Sequence, residues 1–71
     1  MAEYIVISEE NKPMGMGKYD EKEPEVLWDG DTVKKFKNYQ QAYRAIKRSQ
    51  KFAEKCNFNW HTDKYRIMRL I

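Results

Sequence analysis

The chain has 71 residues, of which 41% are hydrophobic and 35% charged, and its formal net charge is +3. This composition excludes a disordered or fibrous protein, and the length predicts one domain over residues 1–71. A domain this small buries only about 60% of the surface that its unfolded chain exposes, so homodimerisation is one way to bury more.

The single cysteine, Cys56, excludes an internal disulfide and a zinc-binding cysteine motif. Residues Met1 to Ser8 lack the basic start and long apolar core of a signal peptide. No apolar run approaches the roughly 20 residues that a membrane span needs. These features predict a cytoplasmic protein that does not bind membranes.

The first half of the chain predicts short strands. Glu3 to Ser8 is rich in β-branched and aromatic residues and is followed by a polar turn. A second strand is expected over Met14 to Lys18, followed by an exposed acidic connection over Tyr19 to Glu25. Glu25 to Trp28 is a short apolar run with Trp28 pointing inward, and it ends at a turn over Asp29 to Asp31.

The segment Thr32 to Phe36 is either a further strand or one helical turn that delivers Val33 and Phe36 to the core. Periodicity over so few residues does not decide between them.

A long helix follows. Asn38 is a good N-cap, no Gly or Pro occurs from Tyr39 to Cys56, and Asn57 is a plausible end. Spacing at 100° per residue predicts a core-facing arc of Tyr39, Ala42, Ala45, Ile46, Ser49, Phe52, Ala53 and Cys56. The opposite side carries Arg44, Lys47, Arg48, Lys51 and Lys55.

After the helix, Phe58 and Trp60 are expected to be buried, because a chain short of core atoms needs them inside. Lys64 to Ile71 alternates enough to form a last strand. The predicted fold is α+β, a small antiparallel sheet of three to four strands with one long helix packed on one face.

The order of these features resembles that of small, uncharacterised phage-encoded proteins. The residues that carry the resemblance are Tyr4 in the first strand, Trp28 followed by Asp29, Phe36, and Ala42 in the helix. It covers most of the chain, although the acidic segment Tyr19 to Glu25 and the length of the helix depart from the pattern. The resemblance implies a phage accessory protein that binds and modulates, for example inhibits, a host protein.

Charge is distributed unevenly along the chain. Residues 1–31 contain nine acids and three bases (net −6), residues 32–55 contain eight bases and one acid (net +7), and residues 56–71 have a net charge of +2. The five helix cations are either an ordinary solvated face or a surface for an anionic partner. That partner would be an acidic protein surface, or alternatively nucleic acid bound without sequence specificity.

Catalytic and metal-binding patterns are weak. Cys56 and His61 lie near Asp63, but helical phase places Cys56 in the buried arc, so neither a nucleophile nor a metal site is expected. Gly15 to Lys18 has the look of a phosphate loop, yet an acidic stretch follows it instead of a helix. Asp29 to Thr32 lacks the carboxylates of a calcium loop. The sequence therefore predicts a binding protein without enzymatic activity or cofactor.

Overall fold

The computed structural model describes residues 2–29 and 32–70, apart from the side chain of His61. The predicted turn over Asp29 to Asp31 therefore lies partly outside the described residues. The elements are β1 (Glu3–Ile7), β2 (Gly15–Gly17), β3 (Val26–Trp28), α1 (Tyr39–Lys55), a 3-10 helix (Asn59–Thr62) and β4 (Arg66–Leu70). The α+β class is as predicted.

The four strands form two antiparallel pairs instead of one continuous sheet. β1 pairs with β4 over its whole length, from Glu3 opposite Leu70 to Ile7 opposite Arg66, and β2 pairs with β3. The other edge of β1 is divided between two segments: the Met14 N–H donates to the Val6 carbonyl at 2.8 Å, whereas Tyr4 exchanges both backbone hydrogen bonds with Phe36. Because neither segment follows β1 for several residues, no further strand joins its sheet in the part of the chain that the structure describes.

Residues Thr32 to Lys35 form neither the strand nor the helical turn that the sequence left open. Phe36 enters the core and is 7% exposed, as the helical-turn alternative required, whereas Val33 is 37% exposed and does not enter the core. The backbone hydrogen bonds of Phe36 to Tyr4 explain this difference, because they fix Phe36 beside β1 while Val33 precedes that contact.

The helix packs its predicted apolar side against the strands. Its buried residues are Ala42, Ala45, Ile46, Ser49, Phe52 and Ala53. They meet Val6, Met14, Leu27 and Phe36 in the core. Alanine and serine side chains allow the helix backbone to approach the strands closely, and the larger side chains fill the remaining space.

Two residues of the predicted arc are exposed instead, and both lie at helix ends. Tyr39 is 54% exposed and contacts the edge of Tyr4. Cys56 is the C-cap, so the helical phase that predicted its burial no longer applies there.

Both helix ends are capped as the sequence predicted. The Asn38 side chain accepts a hydrogen bond from the Gln41 N–H at 2.9 Å. At the other end Asn57 adopts a left-handed conformation with φ of 64°. The Phe58 N–H donates to the Ala53 carbonyl and the Asn57 N–H to the Glu54 carbonyl, which is a Schellman motif.

Ser49 connects the helix to β3. Its hydroxyl donates to the Ala45 carbonyl at 2.6 Å and accepts from the Leu27 N–H at 2.8 Å, and the residue is 0% exposed. A buried backbone N–H without a partner is costly, so this serine satisfies a group of the strand that would otherwise prevent close packing.

We expect Ser49→Ala to lower the free energy of unfolding by about 1–3 kcal/mol, because the Leu27 N–H loses its acceptor while remaining buried. Urea denaturation measures the change. Gln40→Ala, on the exposed side of the same helix, serves as the control and should stay within about 0.5 kcal/mol of the parent. An equally small loss for Ser49→Ala would show that the Leu27 N–H has another partner.

The two glycines of β2 offer a second matched pair. A Cβ on Gly15 would lie 2.0 Å from the backbone oxygen of Thr32, whereas one on Gly17 would lie at van der Waals distance, 3.4 Å, from the Trp28 ring. Gly15→Ala should therefore destabilise the protein by about 2 kcal/mol or more, since backbone must move. Thermal denaturation of both variants measures the difference, and Gly17→Ala should have a much smaller effect. Equal destabilisation by the two substitutions would contradict the close approach of Gly15 to Thr32.

Candidate binding surfaces

The predicted cations form a continuous stripe on the solvent side of α1. We call Arg44, Lys47, Arg48, Lys51 and Lys55 the basic stripe, and all five are exposed. Arg44, Lys51 and Lys55 are spaced by seven and four residues, so they follow one line along the helix surface. The structure thus places together all the site residues that the sequence predicted.

The described carboxylates do not neutralise the basic stripe. Within residues 2–29 and 32–70, apart from the side chain of His61, the only ion pairs involve Lys12, so no described carboxylate pairs with a stripe cation. Two stripe residues make other contacts: the Arg48 Nε–H donates to the Glu25 carbonyl oxygen at 3.0 Å, and the Lys47 ammonium lies 5.4 Å from the Tyr43 ring centre.

The acidic segment Tyr19 to Glu25 runs beside the helix without covering its charges. Tyr19 stacks on Phe52 and Phe58, with ring centres 5.5 and 5.4 Å apart, which fixes the start of the segment against the helix. At its other end Glu25 contacts Arg48 through the backbone only, and its side chain is exposed. The positive field of the stripe therefore faces solvent.

A second feature was not predicted, an open cleft of about 390 Å³. It lies where the ends of β1 and β3 meet the segment that precedes β4. Four carboxylate residues line it, Glu9, Glu10, Asp29 and Asp63, together with four aromatic residues, Tyr19, Trp28, Trp60 and Tyr65. We call this the acidic cleft.

Trp28 explains why the sequence did not reveal the cleft. It was expected to point inward, but it is 44% exposed at the end of β3, where its ring meets Tyr19 edge-on at 5.6 Å. Val26 and Leu27 already supply the buried side chains of β3, so the large indole is left at the cleft. The net charge of −6 over residues 1–31 was the available signal, but three cleft residues, Trp60, Asp63 and Tyr65, lie after the helix and far from the others in sequence.

Phe58 and Trp60 are half-buried, not buried as expected. Their rings stack with centres 5.8 Å apart, and Phe58 in turn stacks on Tyr19. The left-handed turn at Asn57 directs this segment back along the helix, where Gln50 donates to the Asp63 carbonyl at 2.9 Å. Trp60 consequently lines the acidic cleft, and Phe58 packs against the Trp60 ring.

Tyr65 reports on the electrostatics of the acidic cleft. Its pKa is raised above the usual value, first because the phenol is partly buried and second because the Asp63 and Glu9 carboxylates disfavour a tyrosinate. Glu9 is held in place, since its carboxylate accepts from the Lys64 N–H at 2.8 Å. The carboxylates that line the cleft thus add to the larger effect of burial in raising the pKa of Tyr65.

Cys56 is exposed and does not line the cleft. In residues 2–29 and 32–70, leaving out the side chain of His61, there is no group of three or more His, Cys, Asp or Glu residues that could hold a metal ion. No helix in that part of the chain is long and apolar enough to cross a membrane.

The chain was also compared with known proteins. Comparisons with protein-family models, with curated proteins and with solved structures gave no match. The function is therefore inferred from the two surfaces themselves.

We expect Asp63→Asn to lower the pKa of Tyr65, because one of the negative charges that disfavour the tyrosinate is removed. The ¹³Cζ resonance of Tyr65, followed by NMR between pH 8 and 12, measures it. Glu21→Gln removes a carboxylate outside the cleft and should leave the pKa unchanged. Equal Tyr65 pKa values in the parent and in Asp63→Asn would show that the Asp63 carboxylate does not act on the phenol.

The raised pKa of Tyr65 also predicts that the stability of the protein depends on pH. Since the folded state holds the Tyr65 proton more tightly than the unfolded state, the resulting stabilisation is complete below about pH 10 and is lost as the pH rises through the raised pKa. Tyr65→Phe should therefore show a shallower loss of stability at alkaline pH than the parent.

Proposed function

We propose that this protein is a non-enzymatic binding protein that attaches to an acidic surface of a partner protein through the basic stripe. The observation that carries the proposal is the set of five exposed cations on one helix, with no ion pair to any carboxylate of the described residues. Such a surface raises association rates with an anionic partner and fixes the orientation of binding.

The rigidity of the helix supports this function. Asn38 caps its start, the Schellman motif closes its end, and its apolar side is buried against the strands. The backbone that carries the stripe is thus ordered before binding, so association costs less conformational entropy than it would on a loop.

The aromatic residues favour a protein partner over nucleic acid. Non-specific binding of single strands uses aromatic faces next to cations. Here Trp60 lines a cleft with four carboxylate residues, and Phe58 is stacked on Tyr19 and Trp60. Carboxylates repel phosphates, so these rings are poorly placed to stack on bases. Nucleic-acid binding by the stripe alone is the alternative that the experiment must separate.

The resemblance to phage-encoded proteins supplies a setting for the proposal. In that setting the partner is a host protein of the cytoplasm whose activity is modulated when the stripe covers its acidic surface. The binding chemistry does not depend on this setting.

We expect Arg44→Glu combined with Lys51→Glu to weaken partner binding about tenfold or more, since each exposed attraction worth up to about 1 kcal/mol becomes a repulsion. Both side chains are exposed and neither has a hydrogen bond or ion pair within the described residues, so the melting temperature should change little. Immobilised parent and variant proteins are incubated with nuclease-treated lysate of the cell in which the protein acts, and the captured proteins are quantified by mass spectrometry.

The matched control is Lys18→Glu with Lys64→Glu, which changes the net charge equally at positions outside the stripe. Capture that survives nuclease treatment, persists in the control and is lost in the stripe variant supports the proposal. Capture that is equal in parent and stripe variant contradicts it. Capture that disappears with nuclease, together with duplex affinity that falls steeply between about 50 and 200 mM salt, would establish the nucleic-acid alternative.

A further inference from the structure

The acidic cleft has the size and lining of a ligand site. Its volume of about 390 Å³ is at the lower end of the range of roughly 300–1,000 Å³ that is usual for small-ligand pockets. It is therefore large enough for one side chain and adjoining backbone, and too small for a folded domain.

The aromatic part of the lining remains partly uncovered. Trp28 is 44% exposed and Tyr19 is 48% exposed, although both are large rings that a small protein gains by burying. Tyr19 is held in place, because its ring packs against Phe52 and Phe58, which also contact each other, and touches Trp28. The cleft thus presents ring surfaces on a fixed support.

The charged part of the lining is unbalanced. Among the described residues that line the cleft, Lys12 is the only cation, and its ammonium pairs with Glu10 at 3.4 Å and, more distantly, with Asp29 at 4.0 Å. The Asp63 carboxylate has no hydrogen bond or ion pair in the described part of the chain. The four carboxylates and one ammonium of the described lining give a net charge of −3 around the rings.

We propose that the acidic cleft binds an arginine side chain presented by an extended peptide segment of another protein. A guanidinium is planar, so it can stack on Trp28 or Trp60 while donating paired hydrogen bonds to a carboxylate. A phosphate or a carboxylate ligand would be repelled, and a purely apolar ligand would leave the four carboxylates desolvated.

Lys12 already places a cation beside two of the cleft carboxylates, so the proposal predicts a specific effect of removing that charge. Its ammonium competes with an incoming guanidinium for Glu10 and Asp29. Removing the lysine charge should therefore strengthen arginine binding, whereas a purely structural role of Lys12 would weaken it. The basic stripe does not take part, since none of its residues lines the cleft. This inference is thus independent of the proposed function.

The fluorescence of the protein gives a direct readout, because both tryptophans of the chain, Trp28 and Trp60, line the cleft. The full chain is titrated at 150 mM salt with the peptide acetyl-Ala-Arg-Ala-amide. The control peptide contains citrulline, which has the shape of arginine without its charge. We expect a saturable change in tryptophan fluorescence with the arginine peptide and at least about fivefold weaker binding of the citrulline peptide.

Two pairs of variants test the residues. Asp29→Asn with Asp63→Asn should weaken binding of the arginine peptide about fivefold, whereas Glu21→Gln with Glu54→Gln, carboxylates outside the cleft, should leave it unchanged. Lys12→Met should tighten binding about two- to fivefold relative to Lys22→Met. Circular dichroism of each variant establishes that the fold is retained.

Equal binding of the arginine and citrulline peptides would overturn the proposal, as would weakening by Lys12→Met or no response to the Asp29 and Asp63 changes. A fluorescence change that depends on protein concentration without peptide would show that a second copy of the chain occupies the cleft, and would also overturn it. Sedimentation at the titration concentrations detects that outcome.

Discussion

The contact between the helix and β3 is the constraint on which the rest of the structure depends. Ser49 satisfies the Leu27 N–H inside the core, and three neighbouring alanines allow the helix to lie close to the strands. With so few core atoms, a larger or apolar residue at position 49 would either push the helix away or leave a buried donor unpaired. The exposed side of the helix is defined by this contact.

Both candidate binding surfaces follow from that arrangement. Packing of the alanine side leaves the five cations of the basic stripe in solvent, and the Schellman turn at Asn57 then leads the chain back to the end of β3. There Trp60 and Asp63 join Trp28 and Asp29 around the cleft. One small core therefore supports a positive surface on the helix and a negative cavity at the strand ends, with different chemical preferences.

Prediction from sequence succeeded where local signals dominate. The helix and its caps at Asn38 and Asn57 depend on neighbouring residues and on a repeat that continues over 17 positions. Prediction of side-chain burial failed at helix ends and in short segments. Cys56 lies beyond the last helical turn, and Trp28 ends a strand of three residues, so neither has enough periodic context to fix its orientation.

The sequence by itself determined the α+β class, the position of the helix and the separation of its cations from its alanines, because these depend on spacing along the chain. Only the tertiary structure decided that the strands form two pairs, that Trp28 faces outward, and that residues near positions 9, 28 and 63 surround one cleft. Those outcomes depend on which distant segments compete for the edge of β1 and for a small core, and that competition leaves no local pattern in the chain.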